Sequence, residues 1–547
     1  MFLRFRERPS GKTAVQIVEN RRQENKVRQV VVRHVGQAYH ESEIGTLKQL
    51  GESIIARMKE QHQPAFPIFP PENIVKAAYK EEIDDKVRIK DLREEQRVVD
   101  GIGEVFGKLY GDLGFENVLG DTNKDCQWNA ILKSCVLARV ANPASKMRTA
   151  ALLEEDYGIA IPLQKIYRMM DHVFTHENKI KEQVTSSTLS LFPDKVDILF
   201  FDITTIYFES FDSDALRDFG FSKDCKFKEV QITLALITTE KGLPITYEIF
   251  PGDMYEGHTL IEMVKSLKER FDIKTIILVA DRAMFNEDNL TWMDGEKIRY
   301  IVAAKLRGLS KLMKQNILES TSYKPMIIEQ EFHWTKEFEL KNRRLIVSYS
   351  SSRAKQDAWQ RSRLIEKLLK KVKNGKIKLQ ELVTNHGTKK FVRVENATAT
   401  INEAKIAEDS KWDGIHGVIT NEPDHSIPEI LRRYRGLWQI EEAFRINKHD
   451  LKMRPVYHWT PERIRAHISI CFLAYTLAKQ ATYQIAAQFE PMSFERLRNE
   501  LLHVQSSIVF DQRSGKKFVI PAKLTEAHRR IYSAFGLRRS DVPRHLN

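Results

Sequence analysis

The sequence predicts a multidomain α/β protein. A mixed sheet flanked by helices is interrupted by a β-rich insertion and preceded by a mainly helical, basic region. Three observations lead there. From Lys195 the text changes from helical periodicity to apolar runs of strand length, ILFFD, VQITLALIT and ITYEIF, with hairpin-length joins. The amphipathic stretch TLIEMVKSLKERF then leads to a fourth run, TIILVAD, which is the order of a crossover connection. Finally, 547 residues with 42% hydrophobic side chains suffice for three or four cores.

Taken in chain order, residues 1–62 read as a small α/β unit, with alternating TAVQIVEN and VRQVVVRHV before the amphipathic EIGTLKQLGESIIARM. The Pro-rich QPAFPIFPPEN breaks that pattern as a linker. Residues 73–191 are helical and basic, and their short helices and polar turns suit either a DNA-reading domain or a plain packing domain. The strands named above fall in 195–305, closed by a further run, YIVAAK. Residues 306–423 mix strands such as FHWTKEFEL, RLIVSYS, KFVRV and GIHGVIT with a very basic helix, AWQRSRLIEKLLKKVKNG, and read as the insertion. The core resumes over 424–490. A helix starts at SIPE, where Ser426 and Glu429 have capping-box spacing and Pro428 sits in the first turn. Residues 491–547 read as a helical C-terminal region.

The charge balance is 87 Lys and Arg against 74 Asp and Glu, a net +13 that suits a polyanionic partner. Four scattered cysteines show neither a disulfide framework nor zinc-ligand spacing, which points to a reducing compartment. ISICFLAYTLA falls short of the ~18–20 residues needed to span a bilayer and reads as a buried helix, so no membrane role is expected.

Two carboxylates stand out because they interrupt or close apolar strands: Asp202 in ILFFDITTIYFES and Asp281 at the end of IILVAD. An acid taken out of water costs several kcal/mol unless it is paired, hydrogen-bonded or bound to a metal. Neighbouring strands would bring the two together at one edge, where a hard divalent cation takes oxygen ligands; each acid alone equally suits a turn cap. A third acid comes from YRGLWQIEEAFRINKHDL. At ~100° per residue, Leu437, Ile440, Phe444 and Leu451 form the core stripe, Glu441 lies at its margin and Glu442 points away. Arg445 and Lys448 share the side of Glu441, which equally suits an ordinary surface pair.

FFDITTIYFES, VADRAMFNEDNL and YRGLWQIEEAFRINKHDLKMRPVYHWTPERIRAHI, in that order, resemble the bacterial insertion-sequence transposases of the DDE class, the branch with a Tyr-x2-Arg-x3-Glu-x6-Lys signature. The resemblance extends to GLPITYEIFPGDMYEG and, more loosely, to LARVANPASK and the N-terminal unit. It places the three catalytic, metal-holding acids at Asp202, Asp281 and Glu441, the signature Tyr at Tyr434 and its Lys at Lys448. Leu437 stands where the signature has Arg, so the phosphate contact of that Arg would fall to Arg435 or Arg445.

The resemblance further implies a ribonuclease-H-like catalytic domain split by the insertion, and two Mg²⁺ ions, with Mn²⁺ as substitute. It implies hydrolysis at the element's ends to free 3′-hydroxyls, and their joining to target DNA. Tyr434, Arg435, Arg445, Lys448, Arg282 and Lys305 would contact DNA. The implied partners are double-stranded DNA, as terminal inverted repeats and as target, and a second copy of the chain pairing two ends, at the bacterial nucleoid in the cytoplasm. Rival readings are a transposase-derived DNA-binding protein without catalysis and a structure-selective nuclease of the same fold.

Other residues carry weaker readings. His258 suits a helix cap or the edge of the site, KLLKKVKNGKIK a DNA contact or a solvated face, and Trp412 and Trp438 the core. Cys225 has no partner in the sequence pattern.

Overall fold

A computed structural model describes residues 2–7, 13–23, 26–38, 44–45, 47–48, 51–52, 54–55, 87–191, 198–209, 212–220, 229–254, 256–270, 277–281, 286–373, 391–395 and 398–546. The chain divides into two compact units, 1–86 and 87–547. In the first, β1 (Phe2–Glu7), β2 (Thr13–Gln23) and β3 (Lys26–Ala38) form an antiparallel sheet in that order, with Val15, Ile17 and Val18 buried. The Pro-rich linker lies outside the described residues.

The second unit opens with β4 (Leu92–Val99) and five helices: α1 (Gly101–Asp112), α2 (Asn123–Ala141), α3 (Lys146–Tyr157), α4 (Leu163–Thr175) and α5 (Glu177–Leu189). Three antiparallel strands follow, β5 (Ile198–Tyr207), β6 (Gln231–Thr239) and β7 (Pro244–Pro251). Helix α6 (Glu256–Arg270) crosses to β8 (Ile277–Ala280), and α7 (Glu287–Gly295) to β9 (Arg299–Ala303); β8 is parallel to both β5 and β9. A right-twisted parallel pair needs such a crossover, so TLIEMVKSLKERF is helical where the flanking runs are extended.

The β-rich segment continues this sheet. After α8 (Lys311–Leu318) come β10 (Lys324–Ile328), β11 (Glu331–Leu340), β12 (Arg343–Tyr349), α9 (Ser351–Lys373), the hairpin β13 (Val392–Glu395) and β14 (Thr398–Ile401), α10 (Glu403–Ser410) and β15 (Ile415–Thr420). Through β15 on β9 the nine-stranded order becomes β10-β11-β12-β15-β9-β8-β5-β6-β7. Among the described residues, strands β13 and β14 pair only with each other.

Helices α11 (Ile427–Arg435) and α12 (Trp438–Arg445), a π-helical turn (Ile446–Asp450) and the 28-residue α13 (Pro461–Gln488) complete the layer on one sheet face. Alternation along β5 shows the two faces directly. Ile198, Phe200 and Ile206 share a core with α12, α13 and the helices α1 to α5, whereas Leu199, Phe201 and Ile203 share another with α6 and α7. A strand covered on both sides reads as an unbroken apolar run, which is why ILFF lacks polar alternation. ISICFLAYTLA lies inside α13 and is buried, and no described helix is long and apolar enough to cross a membrane.

Two local expectations differ from the structure. Ser426 is extended and precedes α11, with Pro428 in the first turn, but its hydroxyl makes no capping bond; Glu429 turns to Arg433 at 2.9 Å and His425 at 3.3 Å. The C-terminal region is mixed rather than helical. Between and beyond α14 (Phe494–Leu502) and α15 (Glu526–Ala534), β16 (Gln505–Asp511), β17 (Lys517–Pro521) and β18 (Arg544–Leu546) pair with β4 in the order β18-β17-β16-β4. These strands are short, three to seven residues, so their period-2 signal is weak.

Candidate active site

Strand register brings the first two acids side by side. On the parallel pair β5 and β8 the last matched residues are Phe201 and Ala280, so Asp202 and Asp281 each stand one residue beyond them. Adjacent strands run about 4.8 Å apart. Parity puts both on one face: Ile198 and Phe200 are in phase with Asp202, Ile277 and Val279 with Asp281, and those four apolar residues belong to the core under α12 and α13. Asp202 is half-buried and accepts a hydrogen bond from the Ile203 amide at 2.7 Å, while Asp281 is exposed.

The helix bearing Glu441 packs over the same face. Gly436 and Leu437 form the joint between α11 and α12, with right-handed helical torsions at both. Gly436 lies directly on Phe200: an added Cβ would stand 2.7 Å from the Phe200 ring. Beyond the joint Ile440, Ala443 and Phe444 are buried in the shared core, and Glu441 faces solvent. Among the described residues, no group of three or more His, Cys, Asp or Glu side chains is gathered tightly enough to hold a metal ion. The three acids share a sheet face and its helix layer without forming such a group. All three are hard oxygen donors of the kind Mg²⁺ and Mn²⁺ take.

The neighbouring residues are already engaged in several ways. Glu442, expected to point away, instead receives Lys479 of α13 at 3.0 Å, because α13 returns along that flank of α12; Arg445 stands 3.6 Å from it and 3.8 Å from Asp450. Arg435 reaches the β10–β11 hairpin, with His333 at 2.5 Å and Glu329 and Glu331 each at 3.5 Å. Tyr434 packs on His416 of β15, ring centres 5.0 Å apart. Burial, with the charges of Arg353 and Arg435, pushes the His416 imidazole down to about 4, so it is neutral at pH 7.

Lys448 lies within the π-helical turn, partly exposed. Lys305 is exposed two residues past β9, which is parallel to β8. Arg282 lies outside the described residues, as do Cys225 and residues 374–378 of KLLKKVKNGKIK. His258 falls in the first turn of α6.

Two side chains at the joint depart from simple expectation. Leu437, at the signature's Arg position, is only 8% exposed and belongs to the core, so no phosphate contact starts there. Trp438, expected in the core, is 55% exposed, since it begins α12 on the side opposite Ile440 and Phe444. Trp412 is partly buried, with the Arg307 guanidinium 5.9 Å from its ring. His416 and Lys479 were not singled out in the sequence. A histidine inside the apolar run GIHGVIT was the one available signal.

Comparison with known proteins places this arrangement. The family model described as "Transposase DDE domain" matches residues 194–477, a stretch that contains Asp202, Asp281 and Glu441. No curated protein matches. Among solved structures, a piggyBac transposase synaptic complex with hairpin DNA is similar at 10% identity over 74% of this chain and 77% of that one, with a TM-score of 0.39. Since the family match takes in more than half of the 547 residues, the chain belongs to the transposase DDE-domain family.

Proposed function

We propose that this transposase binds the ends of an insertion sequence, cleaves them to free 3′-hydroxyls and joins those ends to target DNA. The observation that carries the reading is the register of β5 and β8, which sets Asp202 and Asp281 abreast on the face that α12 covers with Glu441. Three antiparallel strands with two parallel ones added beyond the first, helices on both faces, support a ribonuclease-H-like catalytic domain.

Asp202, Asp281 and Glu441 would hold Mg²⁺ or Mn²⁺, which when bound supplies positive charge against a phosphodiester and its attacking oxygen. Holding a cation would require the three carboxylates to come within ligation reach of one another, an approach that the positive charge of the cation would favour. Arg445 and Lys448 follow Glu441 on the same helix side and would hold the phosphates of the end; Arg445 has only long contacts to exchange for them. Arg435 would first have to leave the hairpin acids, and Tyr434 would act from its stack on His416. Lys305, exposed two residues past β9, would join this set, and so would Arg282, which follows Asp281 in the sequence. The +13 charge favours duplex DNA as partner, as end and as target, and two copies of the chain would pair two ends in the bacterial cytoplasm.

The test is to incubate the purified chain with DNA flanking its own reading frame and Mg²⁺. Cleavage at a repeat end followed by strand transfer is expected. Sequence-independent cutting of branched DNA would replace the reading with a nuclease, and retention without cutting would replace it with a binding protein.

A further inference from the structure

The segment that carries Glu441 and Lys448 ends in four consecutive carbonyls, of residues 450–453, and side chains from elsewhere in the fold donate to all four. Arg498 of α14 donates to the Asp450 oxygen at 2.9 Å. Arg139 of α2 donates through Nη1 to the Leu451 and Lys452 oxygens, each at 3.4 Å. His467 of α13 places Nε2 at 3.1 Å from the Met453 oxygen. From the other side the Leu451 amide reaches the Ile446 carbonyl at 2.8 Å, and the Met453 amide the Asn447 carbonyl at 2.9 Å. Between them Lys452 has φ +44°, a backbone setting that side chains other than glycine rarely adopt. Such a turn persists only where its surroundings over-determine it.

Two of the groups that hold this turn come from LARVANPASK. The stretch is a helix end, a Pro turn and a helix start: α2 finishes at Ala141, and Ser145 caps α3 by accepting from the Arg148 amide at 3.3 Å. That geometry brings Arg139 and Lys146 to one spot, both about 5% exposed or less. Arg139 braces its own turn through Nη2 to the Ala144 oxygen at 2.8 Å. Lys146 Nζ lies 3.4 Å from His467 Nδ1. With Nε2–H donated to Met453, Nδ1 is the lone-pair nitrogen that accepts from the lysine, so the imidazole is neutral and its tautomer fixed.

We infer that Arg139, Lys146 and His467 are positioning residues for the proposed catalytic helix: they lock the turn at 450–453 and so fix the end of the segment that presents Glu441 and Lys448. The inference rests on the function proposed above for those two residues. Burial in this cluster is unfavourable for a cation. Lys146 is pushed down to about 8 by burial and by Arg139, and His467 is held well below its usual range by burial and by Lys146, Arg139 and His458. The hydrogen bonds that these groups give to the turn offset part of the cost of burying them.

The test follows hydrogen exchange of the Leu451 and Met453 amides in the full chain, together with Mn²⁺ affinity read by spin resonance. Losing a hydrogen bond from a charged donor should raise exchange of these amides roughly ten- to hundredfold. Arg139→Met is therefore expected to raise exchange by that factor and to weaken Mn²⁺ binding, with Arg139→Lys recovering part of both. Val136→Ala, a buried change in the same helix, is the control and should lower melting temperature without singling out these two amides. If Arg139→Met does not fold, the pair His467→Leu and His467→Gln replaces it: the amide side chain retains a donor where Nε2–H stood, so only the leucine variant should exchange faster. Exchange as in the parent chain in folded Arg139→Met or His467→Leu overturns the inference. Glu441→Gln separates the two readings, since it should abolish Mn²⁺ binding and leave exchange at 450–453 unchanged. Mn²⁺ bound as before in Glu441→Gln would overturn the proposed metal role and leave the turn lock standing.

Discussion

Phe200 lies beneath Gly436 so closely that a methyl group on the glycine would stand 2.7 Å from the ring, and 3.2 Å from the Arg433 carbonyl. The contact joins the strand carrying Asp202 to the helix pair carrying Tyr434 and Glu441. Overpacking a tight contact typically costs 1–3 kcal/mol. Gly436→Ala is therefore expected to destabilise by about 2 kcal/mol and to lift α12, lowering DNA cleavage more than DNA binding. Thermal melts and a cleavage assay check this. Phe200→Leu in the same chain should restore part of both losses, because the two sites share one contact.

Glu441 and Glu442 are adjacent in sequence and separate in role. Glu442 pairs at 3.0 Å with Lys479, whose side chain is 12% exposed, so Glu442→Ala leaves a mostly buried ammonium without that partner. The expected loss is about 1 kcal/mol in urea unfolding, with cleavage retained. Glu441 is exposed, and Glu441→Gln should leave unfolding unchanged while abolishing cleavage. Reversal of the two cleavage results would show that the wrong acid has been assigned to the reaction.

Asp202→Ala and Asp281→Ala test the strand register. Each removes one carboxylate just past the last matched pair of β5 and β8, so end binding should persist while cleavage falls below detection. Gel retardation beside the cleavage assay reads both. Loss of binding alone, with cleavage of the bound fraction intact, would argue against a metal-holding pair.

How far the sequence reveals these positions depends on what signal each one leaves. Asp202 and Asp281 are conspicuous because they interrupt or end runs with no other charge, and a central strand covered on both faces has no other reason to be so apolar. Glu441 was placed by helix angle from Leu437, Ile440, Phe444 and Leu451, all of them buried. The same wheel failed for Glu442, since a wheel describes one contact face and α12 has a second, against α13. Helix ends and edge strands were harder still. Whether Ser426 or Arg433 takes Glu429, and whether QSSIVFD finds β4 some 400 residues away, are decided by tertiary neighbours that local spacing does not encode.

Leu437 sits where the family signature carries Arg, and its burial at 8% exposure gives a direct prediction. Restoring the signature with Leu437→Arg would place a guanidinium in the core shared by Phe444 and Ile440. An unpaired buried charge costs several kcal/mol, so the variant should melt at least roughly 8 °C lower, with no gain in cleavage. A variant of undiminished stability that cleaves faster would mean that the joint between α11 and α12 turns outward on DNA.

Acid should unfold the second unit earlier than its carboxylates require. His416 is depressed to about 4 by burial with Arg353 and Arg435 around it, and His458 to about 3 by burial with Lys146, Arg139 and Arg463 around it; His467 is lowered in the same cluster. An unfolded histidine takes its proton near pH 6.5, the folded ones only near 3 to 4, so between those limits the unfolded chain binds more protons. Stability is therefore intact above about pH 6.5 and is lost progressively as pH falls toward 4. A fully buried histidine contributes a slope of up to about 1.4 kcal/mol per pH unit, and the partly exposed His416 and His458 contribute less. The window from 6.5 to 4.5 lies above the ordinary range of carboxylates and so isolates the imidazoles. Urea midpoints taken across it should fall steeply for the parent chain and less steeply for His458→Gln, which cannot charge. A flat parent curve over those two units would mean that water reaches the cluster between α2, α13 and the turn after the Glu441 helix.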